Sequence, residues 1–222
     1  MVTGHTPQTD TAALAQEFVQ FSVDAGVLKF GEFKTKAGRM SPYFFNASKM
    51  LNGGYLHHLA ECYREAIIDS NITFDCIYGP AYKGIFLGSI VSMILSKDGG
   101  EYPLSFNRKE VKDHGEGGSI IGNNPSGDVL IIDDVISAGT AAKESIETIK
   151  ELGANPKIML VGLDRQEKGK GDLSAKRELE TAFEMQVVSI INLDTLISYS
   201  QDNTEYKKHL GKLISYRDEW GA

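Results

Sequence analysis

A chain of 222 residues can bury one good core with at most a small appendage, and 41% hydrophobic with 24% charged residues is the balance of an ordinary globular chain. The 30 acidic and 23 basic side chains leave a net charge of −7, which argues against nonspecific nucleic-acid binding, so a polyanion would have to be met by local groups. No apolar run is long enough to span a bilayer, and MVTGHTPQTD is too polar for a signal peptide. Cys62 and Cys76 lack C-x-x-C spacing, which argues against a disulfide scaffold or a structural zinc site and fits a reducing cytoplasm. The expectation is one domain over 1–222, flexible over 1–10.

Leu14, Phe18, Phe21 and Ala25 recur at helical spacing, and Gly26 is a plausible stop. Phe30, Phe33, Tyr43 and Phe45 then flank a turn at Lys36, Ala37, Gly38 and Arg39. This reads as a β-hairpin outside the main alternation of strands and helices, so that residues 27–50 contribute a hood. Phe44 and Phe45 are strand neighbours and point to opposite faces. Leu56, Leu59, Ala60, Tyr63 and Ile67 make the buried stripe of a helix over 53–70, with His57 and His58 toward solvent. A strand over 74–78 leads into Gly79-Pro80-Ala81-Tyr82-Lys83-Gly84, a loop that opens an apolar helix over 85–95. Its backbone donors and lysine suit a phosphate group. After a strand over 102–107, RKEVKDHGEGGSI has almost nothing apolar to offset its ordering entropy, and it reads as a mobile surface loop placed where a lid would be.

Residues 129–142, VLIIDDVISAGTAA, organise the rest. Four apolar residues form a strand buried on both faces, and Asp133 and Asp134 stand where it leaves the sheet, at a solvent-accessible end. Ser137, Ala138, Gly139 and Thr140 make a turn at the N-terminus of a helix over 141–152, where free N–H groups and the dipole favour an anion. The paired carboxylates would accept from hydroxyls such as those of a ribose. A nucleotide-hydrolysing P-loop is excluded because G-x-x-x-x-G-K-[ST] is absent. Gly115, Gly117 and Gly118 fall short of a dinucleotide fingerprint, because Ile120 stands at the third glycine position.

Further on, a strand over 157–163 ends in Asp164, Arg165 and Gln166, followed by a polar, flexible stretch over 166–171. A helix over 173–183, a strand over 187–191 and helices over 193–199 and 206–220 close the chain. The order of elements gives an α/β fold, a parallel β-sheet flanked by helices with the small N-terminal hairpin as hood. Ligands of such sheets bind at the C-terminal ends of strands, where Lys83, Asp133, Asp134 and Arg165 all fall.

The 129–142 segment resembles the signature of type I phosphoribosyltransferases. With FGEFKTKAGRMSPYFFN, FDCIYGPAYKG, FNRKEVKDHGEGG and LDRQEKG, the chain resembles the orotate phosphoribosyltransferases over essentially its full length. The resemblance implies transfer of a phosphoribosyl group from phosphoribosyl pyrophosphate (PRPP) to orotate, giving orotidine 5′-monophosphate and pyrophosphate in pyrimidine biosynthesis. It implies that Asp133 and Asp134 hold the ribose hydroxyls, and that Val135, Ile136, Ser137, Ala138, Gly139, Thr140 and Ala141 wrap the 5′-phosphate. Tyr82 and Lys83 would lie at the pyrophosphate, joined by Arg108, Lys109, Lys112 and His114. Lys83, Lys109, Lys112 and Asp134 would be the catalytic groups, while Lys36, Phe44, Phe45, Ser137 and Arg165 would hold orotate. Mg²⁺ would be held mainly by substrate and water near Asp133 and Asp134, without a dedicated protein site. A homodimer is implied as well, in which the 108–118 loop completes the neighbour's site and Lys109 serves its own, with no nucleic-acid or membrane partner.

Two positions depart from the usual pattern. Ser137 replaces a common Thr and keeps the hydroxyl, and Ser48-Lys49-Met50 replaces a more usual Gly-Leu-Phe, which bears on the hood's packing or partner surface. The alternatives are a sister transferase for a purine or uracil, which gives no reason for Lys36 and Arg165 beside an aromatic pair, and a PRPP-sensing regulator, against which the acidic balance counts.

Overall fold

The computed structural model describes residues 11–35, 38–112, 118–169 and 171–222; of 98, 110–112 and 118 the backbone alone is described. Lys36, His114 and the stretch 1–10 lie outside the described residues, as do the side chain of Lys112 and the tip of the expected lid. In chain order the elements are α1 (Thr11–Asp24), β1 (Leu28–Lys34), β2 (Met40–Phe45), α2 (Gly53–Asp69), β3 (Cys76–Tyr78), α3 (Lys83–Leu95), β4 (Leu104–Lys112), β5 (Gly118–Gly122) and β6 (Asp128–Ile136). These are followed by α4 (Thr140–Glu151), β7 (Asn155–Asp164), α5 (Ala175–Phe183), β8 (Gln186–Asn192), α6 (Leu193–Asp202) and α7 (Leu210–Trp220).

Six strands form one sheet in the order β5-β4-β3-β6-β7-β8, and β1 and β2 pair as a separate antiparallel hairpin. Five strands of the sheet run parallel; β5 is antiparallel to β4. The central strands are covered on both faces, which is why β6 reads as an unbroken apolar run. Leu130 and Ile132 join the larger core with α1, α2, α3, α6, α7 and the hairpin, whereas Val129 and Ile131 join a second core under α4 and α5. The chain passes from β3 outward to β4, then returns to the other side of β3 as β6. The sheet therefore has its topological switch point between β3 and β6, and the crevice beyond their C-terminal ends is where such a sheet offers space for a ligand.

Several expectations are corrected. The polar stretch after Asn107 begins as strand, not loop: β4 continues to Lys112, and Asn107 pairs with Ile120 and Lys112 with Gly118 across an irregularity in the register. Strand β6 extends past both acids to Ile136 because β7 runs alongside it to Asp164. Residues 166–168 of the polar stretch are anchored rather than loose: Lys168 N–H donates to Trp220 O at 2.9 Å, Ala222 N–H donates to Gln166 O at 3.1 Å, and Glu167 is buried. His58 is half-buried, with its ring edge-on to Phe21 at 4.3 Å and its Nε2 3.3 Å from Glu17.

Candidate active site

Asp133 and Asp134 are consecutive on β6 and so leave it on opposite faces. Asp134 is only 6% exposed, because β7 and α3 cover the strand beyond it, and its Oδ2 accepts from Lys83 Nζ at 2.5 Å. Lys83 opens α3 and keeps 38% of its side chain exposed, so this cation belongs both to the buried acid and to the crevice. Asp133 is half-buried; its Oδ1 accepts from Asp134 N–H at 2.9 Å, and its carbonyl accepts from the Tyr63 hydroxyl on α2 at 2.9 Å. Burial first, and then the charge of Asp134, push the Asp133 carboxyl up to about 7, with Lys83 acting in the opposite direction.

The loop between β3 and α3 is packed against its surroundings backbone to backbone. A Cβ at Gly79 would lie 2.0 Å from Gly84 O, and one at Gly84 would lie 2.8 Å from Ile132 O, so both glycines let α3 start directly against β6. Asn107 on β4 fastens the loop, its Oδ1 accepting from Ala81 N–H at 2.7 Å. Tyr82 is left 73% exposed. On the other side of the crevice Gly139 precedes α4 with φ of +73°, and among the described residues no side chain caps that helix, which leaves its first N–H groups placed to meet an anion. Ser137 is half-buried, while Ala138, Thr140 and Ala141 are exposed around the turn.

The base-side residues divide. Phe45 is committed to the core, its ring 6.4 Å from that of Phe18, whereas Phe44 is 45% exposed, its ring tilted by 30° against that of Phe33 at 5.5 Å. Arg165 follows β7 and is 8% exposed. Its guanidinium lies over the Tyr43 ring at 4.4 Å, and its Nε donates to Glu167 Oε1 at 2.6 Å. On β4, Arg108 is half-buried, its Nε without a hydrogen-bond partner among the described residues, and Lys109 is exposed.

An orotate phosphoribosyltransferase of Marinobacter nauticus is 50% identical over 207 residues, 93% of this chain and 98% of its own length. One of Pseudomonas aeruginosa is 49% identical over 210 residues, 94% of this chain and 99% of its own. The chain belongs to the orotate phosphoribosyltransferase family. A crystal structure of an orotate phosphoribosyltransferase of Francisella tularensis agrees in fold, with a TM-score of 0.82 at 37% identity, covering 93% of this chain and 100% of that one. No protein-family model matches the chain.

For a member of the orotate phosphoribosyltransferase family the donor set is informative. Among the described residues no three His, Cys, Asp or Glu side chains gather into a metal-binding group. Two consecutive carboxylates on β6 are too few to enclose a hard cation, yet they suit one that brings most of its oxygen ligands with the substrate. The resistance of Asp133 to ionisation marks a place where added positive charge would be welcome. Sequence reasoning missed the supporting side chains Asn107, Glu167 and Tyr216, and took Tyr63 for core alone. Asn107, Tyr216 and Tyr63 contribute through partners distant in sequence, and Glu167, though only two residues from Arg165, is also fixed by Arg39 and Tyr216, so no local pattern announces them.

Proposed function

We propose that the chain is a phosphoribosyltransferase acting on PRPP and orotate, yielding orotidine 5′-monophosphate and pyrophosphate in pyrimidine biosynthesis. The observation that carries this reading is the crevice at the β3/β6 switch point, with the buried Asp134–Lys83 pair on one side and the uncapped N-terminus of α4 on the other. Asp133 and Asp134 accept from the ribose hydroxyls, the α4 turn takes the 5′-phosphate, and Lys83 with the loop at Tyr82 meets the pyrophosphate. The C1–O bond breaks with its electron pair leaving on pyrophosphate, and a ring nitrogen of orotate forms the new bond to C1. No side-chain nucleophile is needed, so these residues act by holding charge and orientation. Mg²⁺, when bound with PRPP, supplies further positive charge to the departing pyrophosphate, and Asp133 and Asp134 are the residues that would stand beside it.

On the base side, Lys36, Arg165, Phe44, Ser137 and the backbone at Phe45 receive the orotate ring and its carboxylate. The β4–β5 ribbon carries Arg108, Lys109 and Lys112, and with His114 it closes over the pyrophosphate; in a homodimer it reaches the neighbour's crevice. Both cysteines are free and buried, which suits a reducing cytoplasm. The test is product formation: incubated with PRPP, Mg²⁺ and orotate, the chain should yield orotidine 5′-monophosphate. A chain that instead used uracil or a purine and left orotate untouched would overturn the reading.

A further inference from the structure

A guanidinium has five N–H donors, and in Arg165 three are committed. Nε donates to Glu167 Oε1 at 2.6 Å, and Nη2 donates to Ser41 Oγ at 2.9 Å and to the Tyr216 hydroxyl at 3.2 Å. The two donors on Nη1 have no acceptor among the described residues. The three acceptors come from three parts of the molecule: β2 of the hairpin, the stretch after β7, and α7. Each is itself fixed. Ser41 Oγ donates to Tyr43 O at 2.7 Å, which turns its lone pairs toward Arg165, and the Tyr216 hydroxyl donates to Glu167 Oε1 at 2.5 Å. Glu167 Oε2 accepts from Arg39 Nη1 at 3.3 Å, and Arg39 lies over the Trp220 ring at 4.6 Å. Two guanidinium groups against one carboxylate leave a net positive charge, so the pairing orients Arg165 without cancelling the attraction for an anion.

We propose that Glu167 and Tyr216 are positioning residues for base recognition, holding the Nε and Nη2 side of Arg165 so that its Nη1 edge meets the carboxylate of orotate. This rests on the reading of Arg165 as an orotate ligand. It also gives α7, far along the chain from the phosphate-binding strand, a part in choosing the base.

The experiment measures KM for orotate, KM for PRPP and kcat in the wild-type protein and in Tyr216→Phe, Glu167→Gln and Arg165→Lys. Tyr216→Phe keeps the ring and removes only the hydroxyl, so it remains informative if Glu167→Gln folds poorly. Both positioning variants should raise the orotate KM by roughly tenfold, the scale of one lost hydrogen bond to a charged group, with PRPP KM and kcat within about twofold of wild type. Equal rises in both KM values would make the network structural and overturn the proposal. So would wild-type orotate KM in both variants alongside a raised value in Arg165→Lys, which leaves Arg165 as a ligand but not one held by these partners. An unchanged orotate KM in Arg165→Lys would overturn the underlying reading, and the proposal with it.

Discussion

Asp133 resists ionisation in the free protein. Its carboxyl sits near 7 against an ordinary 3.8, through burial and the charge of Asp134. Between those values the folded state keeps a proton that the unfolded chain has released, so stability falls as pH rises from about 4 to about 7 and the loss persists above. Asp133→Asn cannot titrate. Relative to wild type it should gain stability over that window, by an amount on the order of 1–3 kcal/mol. Urea unfolding at pH 5 and pH 8 without ligands measures this, and parallel wild-type and variant profiles would contradict it. The pairing of Asp133 and Asp134 is legible as a motif because consecutive acids after an apolar run are conspicuous. Their burial is not. It depends on β6 continuing to Ile136 beside β7, where Val135 pairs with Leu163 and Ile136 with Asp164, so Asp134 lies inside the ladder and not at a solvent-accessible end.

At the scale of elements, the Gly79–Gly84 loop shows that its glycines have a packing cause that the sequence does not announce. The glycines suggest room for a phosphate, but what requires them is the approach of α3 to its own neighbours. A Cβ at Gly84 would lie 2.5 Å from Pro80 Cδ, 2.7 Å from Gly79 C and 2.8 Å from Ile132 O, atoms of three positions that cannot all yield. Gly84→Ala should therefore cost about 1–3 kcal/mol of stability, as overpacking does, and should displace Lys83 enough to lower kcat/KM for PRPP. Denaturant unfolding with kinetics on the folded fraction checks both; an alanine variant with wild-type stability would mean that α3 stands further from β6. The β4–β5 ribbon was illegible for a different reason. Its 108–112 stretch runs past the last pairing of β4 with β3, at Ser105, with only β5 beside it, so a pattern search over FNRKEVKDHGEGG finds a loop. In the stretch after Arg165, polarity likewise concealed burial, since Glu167 is held not only by Arg165 two residues before it but also by Arg39, just ahead of β2, and by Tyr216 on α7, which adjacent sequence cannot reveal.

For the whole molecule, the alternation of strands and helices gave the fold class, but not the strand order, because nothing local says on which side of β3 the chain returns. That choice creates the crevice. If the ribbon of one subunit completes the other's crevice, an Asp134→Asn chain and a Lys112→Ala chain, each nearly inactive alone, should complement. Random pairing makes about half the dimers mixed, and one site in each is intact, so about a quarter of wild-type sites return. Verified mixed dimers with only the summed parental activity would place Lys112 in its own subunit's site or outside the reaction. The claim on which all of this depends is that the Asp134–Lys83 crevice performs phosphoribosyl transfer to orotate. Pyrophosphate release from PRPP and Mg²⁺, followed with and without orotate in the wild-type protein and in Asp134→Asn, tests it most directly. Release that requires orotate and falls by at least about tenfold in a folded Asp134→Asn protein, the effect of losing a charged acceptor, is the predicted result. Release indifferent to orotate, or undiminished in the variant, would contradict it.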